Sequence, residues 1–259
     1  MALMTSVTKQ ADFAASRGDW LWRAAGLAYG LAGFAVMWVF WATFVIFLAN
    51  APRLAAPWVE PSVDVGGSVG HPLAAALIDL ALIAIFGLQH SLMARPAFKR
   101  RWTAIVPTAL ERATYVHAAN AALFLLVLCW QPIPIVVWHA QAPLLRDALW
   151  LAFALGWIIL FAGAWSFGLA DLLGLTQIWS WYRRRPAPPP RLKTQWLYKW
   201  LRHPMYVGVL LGVWATPHMT VGHALLAAGF TLYVLIAIRY EERDLARTFN
   251  AAYRLWRAG

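Results

Sequence analysis

Two short polar strings border apolar segments near the end of the chain, and their residue types suit a charged small molecule. The first, "LRHPMYVG" (201–208), places Arg202 and His203 directly before Pro204. Proline is favourable in the first turn of a helix, because its missing N–H would have no partner there. The free N–H groups and the positive dipole end of that helix, together with the two basic side chains, suit a carboxylate or a phosphate.

The second polar string is the pair Glu241–Glu242, which follows the apolar segment 204–239. That segment is interrupted at Pro217 and Gly222, which predict a bend and therefore a helical hairpin. Because a hairpin brings its ends together, we expect the two carboxylates to lie beside the basic string. There they can bind an ammonium group or ribose hydroxyls, or they can simply pair with neighbouring arginines.

A third polar string, "FGLQHSLMAR" (86–95), ends the second long apolar segment. Ionisable groups within a membrane span are costly and often functional, although a lone histidine there is more often a packing residue. Gln89 beside His90 and the basic loop that follows favour a functional role, and Asp79 lies about three helical turns away on the same face. Other polar residues that can line the same cavity are Glu111, Tyr115, Asn120, Trp165, Ser166 and Asp171.

Composition identifies the chain as an integral membrane protein. Of its 259 residues, 61% are hydrophobic, 13% are charged and 17 are tryptophan, whereas a soluble domain is typically about half apolar and a quarter charged. The net charge of +11 does not predict a nucleic-acid partner, because the basic residues fall between apolar segments and orient the chain in a lipid bilayer. Cys129 is the only cysteine, which excludes an intrachain disulfide and a multi-cysteine metal site.

Four apolar segments are long enough to cross a bilayer, at about 24–49, 72–94, 112–131 and 146–170. The hairpin follows at 204–239. The tail 240–259 places four apolar residues on one helix face, which are Leu245, Phe249, Tyr253 and Trp256. The predicted fold is therefore a single all-α integral membrane domain, 1–259, with four transmembrane helices, a C-terminal helical hairpin and an interfacial amphipathic helix.

The distribution of charge predicts the orientation of these spans. The segments 95–102 and 182–202 are strongly basic and belong in the cytoplasm by the positive-inside rule. The loop near 131–146 is almost uncharged, and the loop near 50–71 carries three charged residues, which are Arg53, Glu60 and Asp64. We therefore expect both termini and all three polar strings on the cytoplasmic side.

The polar strings also carry a family resemblance. "LRHPMYVG", preceded by Tyr198 and followed by "EERDLARTFNAAY" (241–253), resembles the C-terminal signature of the isoprenylcysteine carboxyl methyltransferase superfamily. "GLQHSLMARPAFKRRW" (87–102) and "ERATYV" (111–116) are similar to its nurim-like branch, and to the bacterial members that convert methanethiol to dimethyl sulfide. The resemblance implies a multi-pass enzyme of the bacterial inner membrane that uses S-adenosylmethionine as its methyl donor and a small volatile thiol as acceptor.

Carried over to this sequence, the resemblance implies a cofactor site made by Tyr198, Arg202, His203, Pro204, Tyr206, Gly208, Glu241 and Glu242. Because the thiolate is the reactive form of a thiol, such a site needs a base. We predict His90 as that base and Gln89 as its orienting group, with His203 or a carboxylate as the alternative base. No metal is expected, because the histidines lack metal-ligand spacing.

Three alternatives remain open at this point. An isoprenylcysteine or lipid acceptor would use the same cofactor site but needs a lateral opening between helices. A non-catalytic protein of the nurim type would keep the spans without needing the cofactor residues. A haem-binding membrane protein would use His90 and His117 as axial ligands.

Overall fold

The computed structural model describes residues 19–51, 62–67 and 70–258, and these residues are mostly helical. Arg53, Glu60 and the N-terminal residues 1–18, which entered the prediction of orientation, lie outside the described residues. The helices are α1 (Asp19–Leu48), α2 (Pro72–Met93), α3 (Pro96–Trp102), α4 (Glu111–Cys129), α5 (Pro143–Phe167), α6 (Leu169–Leu173), α7 (Leu175–Tyr182), α8 (Pro204–Trp214) and α9 (Val221–Ala258). The remaining described elements are two 3-10 turns, Thr108–Leu110 and Trp196–Lys199, and two strands, β1 (Val136–His139) and β2 (His218–Thr220).

Five of the described helices are long and apolar enough to cross a membrane: α1, α2, α4 with its 3-10 turn, α5, and α9 as far as Ala251. The predicted multi-pass membrane protein is therefore confirmed, and the four predicted spans coincide with α1, α2, α4 and α5. The C-terminal segment differs from the prediction, because its return arm belongs to a continuous helix that is long enough to cross on its own. By contrast, α8 has 11 residues, and a ~30 Å hydrocarbon core needs about 20.

A two-stranded antiparallel ribbon joins the bend before α9 to the segment before α5. Its strands pair with His139 opposite His218, and the Ala140 N–H donates to the Pro217 carbonyl at 2.8 Å. β1 reads Val-Val-Trp-His, a β-branched and aromatic run that favours extended structure but is too short to show a period. The chain is therefore mostly, rather than wholly, helical.

Asp64, which the sequence places in a loop, is buried next to this ribbon. Its carboxylate accepts hydrogen bonds from the Asn50 amide and the Thr220 hydroxyl. A buried carboxylate is costly unless donors surround it, so this loop is tied to the end of α1 and to the residue before α9.

An aromatic core lies between α1, α5 and α9. Phe40, Phe44 and Phe47 of α1 are buried, and the Phe44 ring centre lies 6.0 Å from that of Trp157 and 5.8 Å from that of Phe230. Ring pairs at these separations add favourable geometry to the buried area. This core holds the three long helices in a fixed arrangement.

Six of the ten exposed tryptophans among the described residues lie at the end of the bundle where α1 begins and α5 ends. They are Trp20, Trp22, Trp165, Trp179, Trp196 and Trp200. Tryptophan is enriched where a bilayer meets water, because its ring is apolar and its N–H is polar. This end of the bundle therefore has the surface of a membrane–water interface.

Glycines allow α8 to lie directly against α5. A Cβ atom added to Gly208 would be 2.4 Å from the Leu160 nitrogen, and one added to Gly156 would be 2.5 Å from the Gly212 nitrogen. These are backbone atoms, so the helices would have to separate to admit a methyl group. Small residues at helix crossings are the usual means of close approach in membranes, and here they fix the short α8 to a full-length span.

We predict that Gly208→Ala destabilises the protein, because a methyl group at this crossing forces α5 and α8 apart. Overpacking of this kind typically costs about 1–3 kcal/mol, which thermal melting in detergent will detect. Gly67→Ala is the control, since a Cβ atom there would meet nothing within 4 Å. Equal melting temperatures for Gly208→Ala and the wild type would contradict the close packing of these helices.

Candidate active site

The start of α8 brings the two C-terminal polar strings together. His203 is the residue before the helix and Pro204 is in its first turn. The His203 Nε2 lies 3.0 Å from Glu242 Oε1 and its Nδ1 lies 3.7 Å from Glu241 Oε2, while Arg202 Nη1 lies 3.3 Å from Glu242 Oε1. Both carboxylates thus lie beside the basic residues, as the sequence predicted.

Burial divides this charged cluster into an inner and an outer part. The side chains of His203, Glu241 and Glu242 are 13%, 12% and 18% exposed, whereas that of Arg202 is 49% exposed. Charged groups that are largely removed from water must be paired, and these groups pair with one another. The inner groups are therefore held in place, and Arg202 faces the solvent.

Aromatic residues surround the inner part of the cluster. The Tyr206 ring stacks on the His203 ring, with 5.7 Å between their centres, and its side chain hydrogen-bonds Glu241. Tyr198 is buried, and its ring centre lies 6.1 Å from that of Phe167. Flat aromatic faces next to charged groups are suited to a ligand that has both a flat ring and charges.

The end of α9 folds back over this cluster. Asn250 has a non-helical backbone, with φ of 40° and ψ of −106°, and asparagine tolerates positive φ better than most residues. In a straight helix Tyr253 would lie about 16 Å along the axis from Glu242, yet the two side chains interact. The bend at Asn250 therefore brings the buried Tyr253 to the site, a contact that the helical spacing of the tail did not predict.

Two of the residues expected to hold a cofactor face α5 instead of the cluster. The Pro204 side chain lies against Gly163, with 3.2 Å between its Cγ and the position of an added Cβ. Gly208 lies at the crossing with Gly156. Both residues position the start of α8 through packing.

A second polar group lies around His90. The Tyr115 hydroxyl is 2.5 Å from His90 Nε2, and the imidazole ring is flanked by Phe86 and Tyr233, whose ring centres are 5.2 and 6.0 Å away. His90 Nδ1 is buried and has no hydrogen-bond partner among the described residues. The hydrogen bond that orients His90 thus comes from Tyr115, while Gln89 donates to Met93 Sδ at 3.1 Å.

Tyr233 connects the two groups. It lies on α9, its ring centre is 6.0 Å from that of His90, and its hydroxyl interacts with Ser91 and Glu241. A small cleft at this place is lined by His90, Ser91, Ala94, Arg95, Tyr115, Tyr233, Ala237 and Tyr240. The charged cluster and the histidine are therefore neighbours along α9. Tyr233 was missed because an aromatic residue within an apolar helix looks like a packing residue.

Ion pairs hold the segments around this site. Arg95 at the end of α2 lies 3.4 Å from Asp244 of α9, and its guanidinium lies 4.8 Å from the Tyr240 ring centre. Lys99 Nζ lies 3.2 Å from Glu111. Burial lowers the pKa of Lys99, although the neighbouring carboxylate of Glu111 works in the opposite direction.

Asp171, another candidate from the sequence, links neighbouring segments of the chain through hydrogen bonds. The Thr176 hydroxyl donates to it at 2.7 Å and Lys193 Nζ at 3.0 Å. Partial burial opposes ionisation, but these hydrogen bonds and the Lys193 charge hold the pKa of Asp171 below its ordinary value. Asp171 therefore ties the basic loop 183–195 to α6 and α7.

The remaining candidates have other contacts. Asn120 donates to the Gly33 carbonyl at 3.2 Å, Ser166 donates to the Ala162 carbonyl at 2.7 Å, and Trp165 is exposed. Asp79 accepts from the Gln131 N–H at 2.9 Å, at the opposite end of the bundle from His203.

His117 also makes a contact of its own. Its Nε2 lies 2.9 Å from the Tyr29 carbonyl, against α1. His117 therefore has a packing role in this structure, and the arrangement gives no support to a pair of haem ligands formed with His90.

Comparison with known proteins identifies the family. The chain is 36% identical over 240 residues to methanethiol S-methyltransferase 1 of Bradyrhizobium diazoefficiens, covering 93% of this chain and 82% of that protein. It is 40% identical over 200 residues to methanethiol S-methyltransferase of Mycobacterium tuberculosis, covering 75% of this chain and 82% of that protein. The chain belongs to the methanethiol S-methyltransferase family.

Two further matches agree with this assignment. The phospholipid methyltransferase family matches residues 151–252, a range that contains α8, the charged cluster and Tyr233. Nurim of Rattus norvegicus is 34% identical over 185 residues, which is 67% of this chain and 69% of that protein. No solved structure matches the chain. The predicted family of membrane methyltransferases is therefore confirmed.

We predict that Asp171→Asn lowers the melting temperature at neutral pH. Because the folded-state pKa of Asp171 is lowered, its charge stabilises the fold above the unfolded pKa of about 3.9, and this contribution disappears as the pH falls through the folded value. The difference in melting temperature between the variant and the wild type should therefore shrink below about pH 4. A difference that stays constant down to acid pH would contradict this role.

Proposed function

We propose that this chain transfers the methyl group of S-adenosylmethionine to methanethiol and so produces dimethyl sulfide. The observation that carries the proposal is the junction at Tyr233, where the charged cluster at His203 adjoins the aromatic cleft at His90. A charged donor and a small apolar acceptor need these two environments side by side. The names of the relatives support methanethiol as the acceptor.

The charged cluster fits the chemistry of the methyl donor. S-adenosylmethionine has a carboxylate, an ammonium group, ribose hydroxyls and an adenine ring, and it supplies a methyl group activated by a sulfonium. Arg202 and the positive dipole end of α8 suit the carboxylate. Glu241 and Glu242 suit the ammonium group and the ribose, and Tyr206 or Tyr198 suits the adenine. Pro204 and Gly208 contribute by holding α8 in place.

The residues that line the aromatic cleft suit a small thiol and its deprotonation. If His90 Nε2 donates to the Tyr115 oxygen, Nδ1 is an unprotonated acceptor. His90 then takes the thiol proton at Nδ1, while the sulfur forms a bond to the methyl carbon and the bond from that carbon to the sulfonium breaks. Alignment of the two reactants without competing water is the main requirement of such a displacement, and Phe86, Tyr115 and Tyr233 exclude water here.

The end of α9 covers the donor side of the site. Tyr253 reaches Glu242 only because Asn250 bends the helix. We assign the residues after Asn250 to the membrane surface, as the pattern of the tail suggests, with the added role of closing the site over the charged cluster.

The same arrangement supports a proposal for the membrane orientation. α8 and the extended residues up to β2 lead from the end of the bundle that holds the charged cluster to the opposite end. α9 then runs back to the end at which α1 begins. The basic residues of α3, which are Lys99, Arg100 and Arg101, lie at the end of α2 that carries His90. We therefore propose that, in a bacterial inner membrane, both termini and the active site lie at the cytoplasmic face, because the positive-inside rule favours basic residues there.

We expect His203→Ala and Glu242→Ala to abolish binding of S-adenosylmethionine, because each removes a group that holds the charged parts of the donor. Calorimetric titration of the purified proteins measures this directly. Asp147→Asn is the control, since Asp147 is an exposed carboxylate at the far end of the bundle. Wild-type affinity in both His203→Ala and Glu242→Ala would show that the donor binds elsewhere.

For catalysis, we predict that His90→Ala retains binding of S-adenosylmethionine but lowers turnover by about 10²–10⁴-fold, the usual contribution of a general base. Headspace detection of dimethyl sulfide after addition of methanethiol gives the rate. Tyr115→Phe removes the hydrogen bond that orients His90 and should lower turnover while His90 remains. Full activity of His90→Ala would assign the proton transfer to another group, with Glu241 the next candidate because of its contact with Tyr206.

A lipid acceptor is the second candidate, and the match to the phospholipid methyltransferase family favours it. An experiment with the wild-type protein distinguishes the candidate acceptors. The protein is given S-adenosylmethionine labelled in the methyl group, together with phospholipid vesicles, a prenylcysteine or methanethiol. Label in dimethyl sulfide alone supports methanethiol as the acceptor. Label in the lipid or in the prenylcysteine would instead identify that molecule as the acceptor. Binding of the donor without any transfer would favour a non-catalytic protein of the nurim type.

A further inference from the structure

Two histidines face each other at the end of the bundle opposite the proposed active site. His139 of β1 and His218 of β2 are direct partners in the antiparallel ribbon, and their Nδ1 atoms are 3.2 Å apart. The rings meet edge to face, with an interplanar angle of 73°. These residues have no part in the proposed methyl transfer.

The separation of the two nitrogens matches that of neighbouring ligands on one metal ion. Imidazole nitrogens bind Zn²⁺ at about 2.0–2.1 Å. Two nitrogens 3.2 Å apart that both lie at that distance from an ion enclose an angle of about 100° at the metal. This value lies between the angles of octahedral and tetrahedral coordination, so the separation of the two nitrogens is compatible with a shared ion.

The backbone holds both histidines in register. The Trp138 indole N–H donates to the Thr216 carbonyl at 3.0 Å, and the Thr216 hydroxyl donates to the His218 carbonyl at 2.8 Å. With the Ala140–Pro217 hydrogen bond, these contacts fix each strand on either side of the ring pair. Ligands that are positioned before binding lose less conformational entropy when the metal arrives.

The ring pair is also open to solvent. His139 is exposed, and His218 borders a pocket whose lining includes Asn50, Asp64 and Thr220. Among residues 19–51, 62–67 and 70–258, no group of three or more His, Cys, Asp or Glu side chains is placed to hold a metal. Water therefore has to supply the remaining ligands, and the pocket provides the space for it.

We propose that His139 and His218 form a two-histidine binding site for a divalent transition-metal ion, with Zn²⁺ as the representative, and that the bound ion clamps β1 to β2. Imidazole is a common ligand for Zn²⁺, Ni²⁺ and Cu²⁺. The clamp joins the segment before α5 to the bend before α9. This site is independent of the proposed methyl transfer.

The test is calorimetric titration of Zn²⁺ into the full-length protein in detergent, after chelator treatment and purification through a tag without histidine. One equivalent is expected to bind to the wild type. His139→Ala and His218→Ala should each weaken the affinity by about tenfold or more, because each removes a ligand. His71→Ala is the matched control, since it removes another exposed histidine near the start of α2 and should leave the affinity unchanged.

A second measurement distinguishes the loss of metal binding from the loss of folding in the variants. A ligand that binds only the folded state raises the melting temperature, so Zn²⁺ should stabilise the wild type and His71→Ala but not the double variant His139→Ala/His218→Ala. Size-exclusion chromatography shows whether each variant remains monodisperse. No saturable binding to the wild type, or unchanged affinity in a well-folded His218→Ala, would overturn the proposal and leave the rings as a hydrogen-bonded pair.

Discussion

The close approach of α5 and α8 is the constraint on which the site depends. α8 is too short to be held in a bilayer by its own length, so its position is set by the helix against which it packs. Gly156, Gly208 and Gly212 remove the side chains that would separate the two backbones. Since His203 immediately precedes α8, its place relative to the carboxylates of α9 follows from this contact.

The charged cluster at the start of α8 is largely buried, and its charges are stabilised because they pair with one another. Two carboxylates that are mostly removed from water would be strongly unfavourable alone. His203 contacts both of them, Arg202 adds a cation from the solvent side, and the tyrosines supply hydroxyl groups. Under the proposed function the donor brings charges of both signs, so it can replace some of these partners without leaving a buried group unpaired.

Much of the fold was predictable because hydropathy reports directly on a bilayer, and the spans at α1, α2, α4 and α5 followed from it. The meeting of His203 with Glu241 and Glu242 was also predictable, since it needs only a hairpin. Other features lacked a sequence signal. The ribbon is too short to show a period, Tyr233 resembles any aromatic residue in an apolar helix, and the contact of Tyr253 depends on a bend at Asn250 that interrupts the helical spacing. Pro204 and Gly208 lie in the same motif as the residues that form the cluster, so the motif alone could not separate packing from binding.

The six exposed tryptophans at the end of the bundle that holds the proposed site suit a membrane–water boundary, and a site at that boundary has a consequence for how the proposed reactants arrive. S-adenosylmethionine is charged and is dissolved in water, whereas methanethiol is small and apolar and partitions readily into hydrocarbon. A catalytic centre inside an aqueous protein would require the thiol to leave the lipid, and one at the middle of the bilayer would require the donor to enter it. At the level of the tryptophans each reactant reaches the other from its own phase, and dimethyl sulfide can return directly to the lipid.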